Sequence, residues 1–201
     1  MTDQPEEKEL HLEVLQERMP LFTTILQSGI EVKTKNNIAT GHFLCNLEGF
    51  DSDYLAQAVE TIFLNGMPVD SFDTPLCGDN PVLALSAAMP GLAGAIFRKN
   101  SFHSALRTDT GKKTASSRTD DTILVTLKLF NTIAKQRGET LLQRGVLIKG
   151  HKILKFFENR RTFFNYICKL SFQHQEFTPD SLLQVVPGGE TIKLFITRNN
   201  D

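Results

Sequence analysis

Residues 60–94 read ETIFLNGMPVDSFDTPLCGDNPVLALSAAMPGLAG, and the fold is decided by how this stretch is parsed. Thr61 to Leu64 are β-branched, aromatic or aliphatic, and Asn65-Gly66 follows, the dipeptide that supplies positive φ at both central positions of a tight reversal. A strand therefore ends at Leu64, and a short arm, Met67-Pro68-Val69-Asp70, leaves the turn. Ser71-Phe72-Asp73-Thr74-Pro75-Leu76 is a polar corner in which Asp73 and Thr74 can bond nearby backbone amides. A second turn at Gly78-Asp79-Asn80-Pro81 releases a further strand, Val82-Leu83-Ala84-Leu85.

The order strand, NG turn, short arm, DTPL corner, G-D turn, strand resembles the C-terminal half of the β-grasp (ubiquitin-like) fold, and in particular the sulfur carriers of molybdopterin and thiamine synthesis. The residues that carry the resemblance are Asn65-Gly66, Pro68-Val69-Asp70, Asp73-Thr74-Pro75-Leu76, Gly78-Asp79 and Val82, Ala84 and Leu85. In those carriers the last strand runs into a Gly-Gly tail whose carboxylate is adenylated and loaded with sulfur. Here the corresponding place is Met89-Pro90-Gly91-Leu92-Ala93-Gly94, and the chain continues to Asp201. The resemblance thus implies a fold, and implies the carrier chemistry only if the chain is processed after Gly94. ALSAAMPGLAGA (residues 84–95) also resembles segments of bacterial proteins to which no function attaches.

A hydrophobic fraction of 40% and a charged fraction of 22% are those of a globular protein. The 201 residues suffice for two small cores. The net charge of -1 hides a segregation: residues 98–169 hold 16 Lys or Arg against 5 Asp or Glu, and the remainder 6 against 18. Cys45, Cys77 and Cys168 are far apart without C-x-x-C spacing, so they predict no disulfide framework and no zinc site, and are expected as small buried residues. The N-terminus, MTDQPEEKEL, is acidic and lacks a signal-peptide pattern, which makes cytoplasmic the expected location. The uncharged run Val82–Phe97 holds Pro90 and two glycines and falls short of the roughly twenty residues that a membrane span needs.

Taken in order, residues 6–27 place Leu10, Val14, Met19, Phe22, Ile25 and Leu26 at spacings that include three and four, which predicts an amphipathic helix interrupted at Pro20. Gly29 to Thr34 alternates and predicts a strand. Residues 39–48 and 53–59 predict helices broken around Gly49, with Asp51 or Ser52 capping the second. Thr122 to Phe130 predicts a strand, Asn131 to Gln143 a helix broken at Gly138, and Gly145 to Lys149 repeats the pattern of Gly29 to Lys33. A basic helix over 153–164, a strand over 166–172, a corner at Asp180-Ser181-Leu182-Leu183, a turn at Pro187-Gly188-Gly189 and a strand over 191–196 then echo the first half. The expected architecture is α+β: two β-grasp-like units, each a mixed sheet packed on a helix, over 1–97 and 122–201, joined by a basic linker over 98–121.

No catalytic or cofactor motif occurs: there is no G-x-S-x-G, no phosphate-binding loop, no H-E-x-x-H and no dinucleotide fingerprint. His11, His42, His103, His151 and His174 are isolated in sequence, and turn capping accounts for Asp70 and Asp73. The expected function is non-enzymatic: an interaction or adaptor protein without a cofactor, contacting a protein partner through the segment Met89, Pro90, Gly91, Leu92 and Gly94. The alternative is an anion or nucleic-acid site in residues 98–161, with Arg98, Lys99, Arg107, Lys112, Lys113, Lys152, Lys155 and Arg160 as the cations. Phe156, Phe157, Phe163 and Phe164 interleave with the last of these and are expected in the core. The oligomeric state has no signature in the sequence.

Overall fold

A computed structural model describes residues 7–87, 96–99 and 122–199. The chain divides into two compact units, one made of residues 1–30 and 138–201 (unit 1), the other of residues 31–137 (unit 2). These cuts fall elsewhere than at 97 and 121, because the N-terminal segment joins strands from the far end of the chain. Both units are α+β, and in both the sheet is mixed.

In unit 2 the strands run in the order β2-β8-β7-β4-β5 (Ile30–Lys35, Thr122–Leu129, Val82–Ser86, Thr61–Leu64, Met67–Val69). The NG reversal is as expected: Asn65 and Gly66 have φ of 53° and 80°, and Leu64 pairs with Met67 across them. Pro68 occupies the outer strand, where its missing N–H costs no ladder bond and leaves that edge without a donor. β4 runs antiparallel to β7, Ile62 facing Leu85, and β7 runs parallel to β8, Leu85 facing Leu129. Ile62, Leu85 and Leu129 are fully buried with Phe43, Leu44 and Phe50. Two helices, Thr40–Cys45 and Ser52–Ala58, supply that cover, and Asp51 caps the second by accepting from Tyr54 N at 2.8 Å. The corner 71–74 is tied by Ser71 and Thr74 side chains and returns as β6 (Pro75–Leu76), paired with β3 (Ile38–Ala39).

Unit 1 has the order β11-β10-β1-β12-β9 (Gln175–Phe177, Ile167–Phe172, Lys8–Leu15, Thr191–Asn199, Val146–Lys149). Its central strand β1 corrects the helix expected over 6–27. Leu10, Leu12 and Val14 alternate with Glu9, His11 and Glu13, a period of two, and only from Met19 onward does helical spacing hold. The three apolar side chains are fully buried, each worth about 1.5–3 kcal/mol on leaving water, so the strand is held by its own face. Met19, Phe22, Ile25 and Leu26 complete this core from a short helix (Met19–Phe22) and a 3-10 segment (Thr23–Ser28). They meet the helix Gly150–Glu158, whose Ile153, Phe156 and Phe157 form one stripe.

Further local expectations need correcting. Gly138 does not break its helix, which runs Asn131–Arg144; a Cβ there would stand 2.8 Å from Leu26 Cδ1 and 2.9 Å from Thr23 Cβ, so the glycine permits a close approach. The basic helix ends at Glu158 and continues as a 3-10 segment, Arg161–Tyr166. Residues Leu182–Val185 are helical and form no corner. Segments 72–74 and 188–190 each receive the start of a helix through two backbone hydrogen bonds. In unit 2 the first helical amides of Thr40 and Gly41 donate to Thr74 O and Phe72 O; in unit 1 those of Gly150 and His151 donate to Glu190 O and Gly188 O.

The registers match as well. Leu64, Leu83 and Leu127 lie abreast in one sheet, and Phe172, Leu10 and Leu194 in the other, each time at the end of a hairpin strand closed by two positive-φ residues. Those two residues are Asn65-Gly66 in unit 2 and Gln173-His174 in unit 1. The strand beside the hairpin, however, is β7 in unit 2 and the N-terminal β1 in unit 1.

Candidate anion-binding site

The segment Arg161–Tyr166 follows the helix Gly150–Glu158 after Asn159 and Arg160, the latter with φ -137° and ψ 56°. Phe163 N donates to Arg160 O at 2.9 Å, which winds the chain tightly and brings Phe163 and Tyr166 onto the aromatic core. Phe163 meets Phe22 at 5.0 Å, Phe156 at 5.6 Å and Tyr166 at 5.8 Å between ring centroids. Phe157 and Phe164 close the cluster from inside, fully buried and nearly so. Edge and tilted ring pairs of this kind add about 0.5–1.5 kcal/mol each beyond the area they bury.

Two guanidinium groups stand on this cluster. Arg160 lies over Phe156 at 4.6 Å, and Arg18, which ends the 3-10 segment after β1, lies over Tyr166 at 5.0 Å. The sequence Arg18–Tyr166–Phe163–Phe156–Arg160 is therefore a row of rings with a cation at each end. Arg18 and Arg161 are exposed, and Arg160, Phe163 and Tyr166 are half-buried. Among the described residues none of these three arginines has a carboxylate within ion-pair distance, although Glu17 and Glu158 are exposed on the same stretches. Four other cations of unit 1 are paired: Lys8 with Glu190 at 2.8 Å, Lys169 with Glu13 at 3.2 Å, Lys193 with Glu9 at 3.6 Å, and Arg198 with Glu139. A guanidinium held over a ring keeps its in-plane N–H donors for an acceptor, and its order is set before any ligand arrives.

The cations singled out from the sequence have varied settings. Arg98 pairs with Glu60 at 3.0 Å, and Lys99 lies over Phe72 at 4.5 Å, both in unit 2. Burial holds the Lys99 amine below its ordinary value, with the neighbouring Glu60 opposing the shift. Lys152 donates to Gly29 O at 3.1 Å, Lys155 is exposed on its helix, and Arg160 is part of the row of rings; these three lie in unit 1. Arg107, Lys112, Lys113 and the segment Met89, Pro90, Gly91, Leu92 and Gly94 lie outside the described residues. Of the rings expected in the core, Phe156, Phe157 and Phe164 are there, while Phe163 reaches the surface. Arg18 and Tyr166 were not singled out, because no sequence spacing links position 18 to 156–166.

The helix start at Gly150 is no anion site: its first two amides are taken by Glu190 O and Gly188 O. The expectation that the cysteines are buried is overturned, since Cys45 and Cys168 are exposed and Cys77 is half-buried, all as free thiols. Among the described residues no group of His, Cys, Asp and Glu is arranged to hold a metal ion, and no helix is long and apolar enough to cross a membrane. On the open face of the unit 1 sheet His11 stacks on Phe195 at 4.3 Å, and its Nε2 lies 3.1 Å from Glu9 Oε2. That contact, ahead of the charge of Lys193, holds the Glu9 carboxyl below its ordinary value. Compared with known protein families, curated proteins and solved structures, the chain matches none.

Proposed function

We propose that the protein is a non-enzymatic interaction protein whose working surface is the row from Arg18 to Arg160 in unit 1, addressed to an anionic partner. The observation that carries this is Arg18 held over the half-exposed Tyr166 and Arg160 over Phe156, with Arg161 beside them and no carboxylate within ion-pair distance of any of the three among the described residues, while Lys8, Lys169, Lys193 and Arg198 of the same unit are paired. The accompanying fold reading is a pair of β-grasp-like units. The matching registers, the two hairpins and the shared docking of helix on corner support it.

Heparin retention tests the reading. The parent should bind and elute earlier as salt rises, and Arg18→Gln/Arg160→Gln/Arg161→Gln should lower the slope of log affinity against log salt by about 0.7–0.9 per cation removed. Lys112→Gln/Lys113→Gln should leave retention unchanged. Loss of retention in the second variant and not in the first would move the site to the basic stretch 98–121 and end the assignment to unit 1.

A further inference from the structure

The open sheet face around His11 carries paired, mutually neutralised charges, and the Arg137 guanidinium over Tyr54 at 3.9 Å has its Nε buried out of reach of any ligand. The row from Arg18 to Arg160 differs from both, because Phe163 and Tyr166 are half-exposed between Arg18 and Arg160, which have no carboxylate within ion-pair distance among the described residues.

Deepening the anionic-partner reading, on which it rests, we infer that the ligand of this row is single-stranded nucleic acid. An acidic peptide offers carboxylates alone, and for these the aromatic half of the row has no use. A single strand offers phosphates at regular intervals with a planar base beside each one. Phosphates suit the in-plane donors of Arg18, Arg160 and Arg161, and bases stack on tyrosine, on phenylalanine and on the outer face of a guanidinium. Phe163 and Tyr166, both half-exposed and 5.8 Å apart between ring centroids, place two aromatic surfaces at a separation that an unstacked strand can follow. Duplex is disfavoured, since its bases are already stacked on one another and only its phosphates are available. Nothing on the row offers base-edge groups in a fixed pattern, so the binding is tolerant of sequence.

Fluorescence anisotropy of the full chain with fluorescein-labelled oligo-U and oligo-dT of roughly 12 nucleotides tests this, with heparin and polyglutamate as parallel anions. Binding is expected to both oligonucleotides, weaker to a duplex of the same length. Arg18→Gln/Arg160→Gln should reduce the salt slope by about 1.4, the single-strand value for two cations. Tyr166→Leu keeps the charge and most of the packing; it should weaken oligonucleotide binding about 5- to 150-fold and heparin binding far less, since Arg18 keeps its charge without the ring beneath it, a split that a merely structural tyrosine would not give. Circular dichroism of each variant checks that it is folded. If heparin or polyglutamate binds through the arginines and the oligonucleotides do not, the nucleic-acid inference is overturned while the anionic-partner reading stands; if no polyanion binds, both are overturned. Equal loss of heparin and oligonucleotide binding in folded Tyr166→Leu would likewise refute the stacking role.

Discussion

Gly150→Ala measures how tightly the helix of unit 1 is seated. A Cβ at Gly150 would stand 1.9 Å from Pro187 O and 2.9 Å from Pro187 C, both backbone atoms. That is roughly 1.5 Å inside the ~3.5 Å at which nonbonded heavy atoms rest, so the helix or the 187–190 turn has to move. The movement strains the bonds from Gly150 N to Glu190 O and His151 N to Gly188 O, at 2.8 and 2.9 Å. Overpacking and weakened hydrogen bonds, less the helix preference of alanine, give a loss of about 2–4 kcal/mol. For a chain of this size the melting temperature should fall by roughly 4–16 °C. The chain has two tyrosines and no tryptophan, Tyr54 in unit 2 and Tyr166 in unit 1, so a Tyr54→Phe background makes tyrosine emission report unit 1 alone. Gly189→Ala is the control, since nothing lies within 4 Å of its added carbon. Equal melting of the two alanine variants would refute the close approach and with it the equivalence of the 188–190 turn to the 72–74 corner.

His174→Gly should raise stability by about 1 kcal/mol, because His174 has φ 63° at the turn position that Gly66 fills in unit 2; an unchanged or lower urea midpoint would count against strain there. Thr61→Val should be neutral or stabilising by about 1 kcal/mol, since the Thr61 hydroxyl is buried with no partner, and a clear loss in a thermal melt would reveal a bond unaccounted for. For Glu9 the folded carboxyl titrates lower than the unfolded one, so its contribution is complete at neutral pH and is lost as pH falls through that depressed value. Glu9→Gln should therefore flatten the acid limb of a plot of stability against pH and leave the limb above neutrality as it is.

Much of unit 2 was legible because its signals are local. Asn65-Gly66, Asp51 before Tyr54, and the alternation of Val125, Leu127 and Leu129 each announce an element within a few residues of themselves. Strand β1 was not, since Leu10, Leu12 and Val14 run straight into the 3.6-period positions Met19, Phe22, Ile25 and Leu26, and one window spanning both favours the helix. Its neighbours, Ile167–Phe172 and Thr191–Asn199, are more than a hundred residues away, a distance over which periodicity says nothing. The same separation hid Arg18 and Tyr166 from one another, whereas Arg160 and the phenylalanines beside it could be read as a basic and aromatic run. The stretch 182–185 is helical where a corner was expected, because Leu182 and Leu183 fit an extended or a helical stretch equally, and the carbonyls that receive the Gly150 and His151 amides lie further on, at 188 and 190.

The position of β1 also orders events during synthesis. Residues 31–137 form a contiguous unit that has all its strands once they have left the ribosome, whereas the sheet containing β1 lacks a neighbour until Thr191–Asn199 has been made. Domains generally fold as units as the chain emerges. Strand β1 must therefore wait, apolar side unmatched, for Thr191–Asn199, so a chain cut short before that strand would hold one finished unit and leave Leu10, Leu12 and Val14 open to aggregation or to a chaperone.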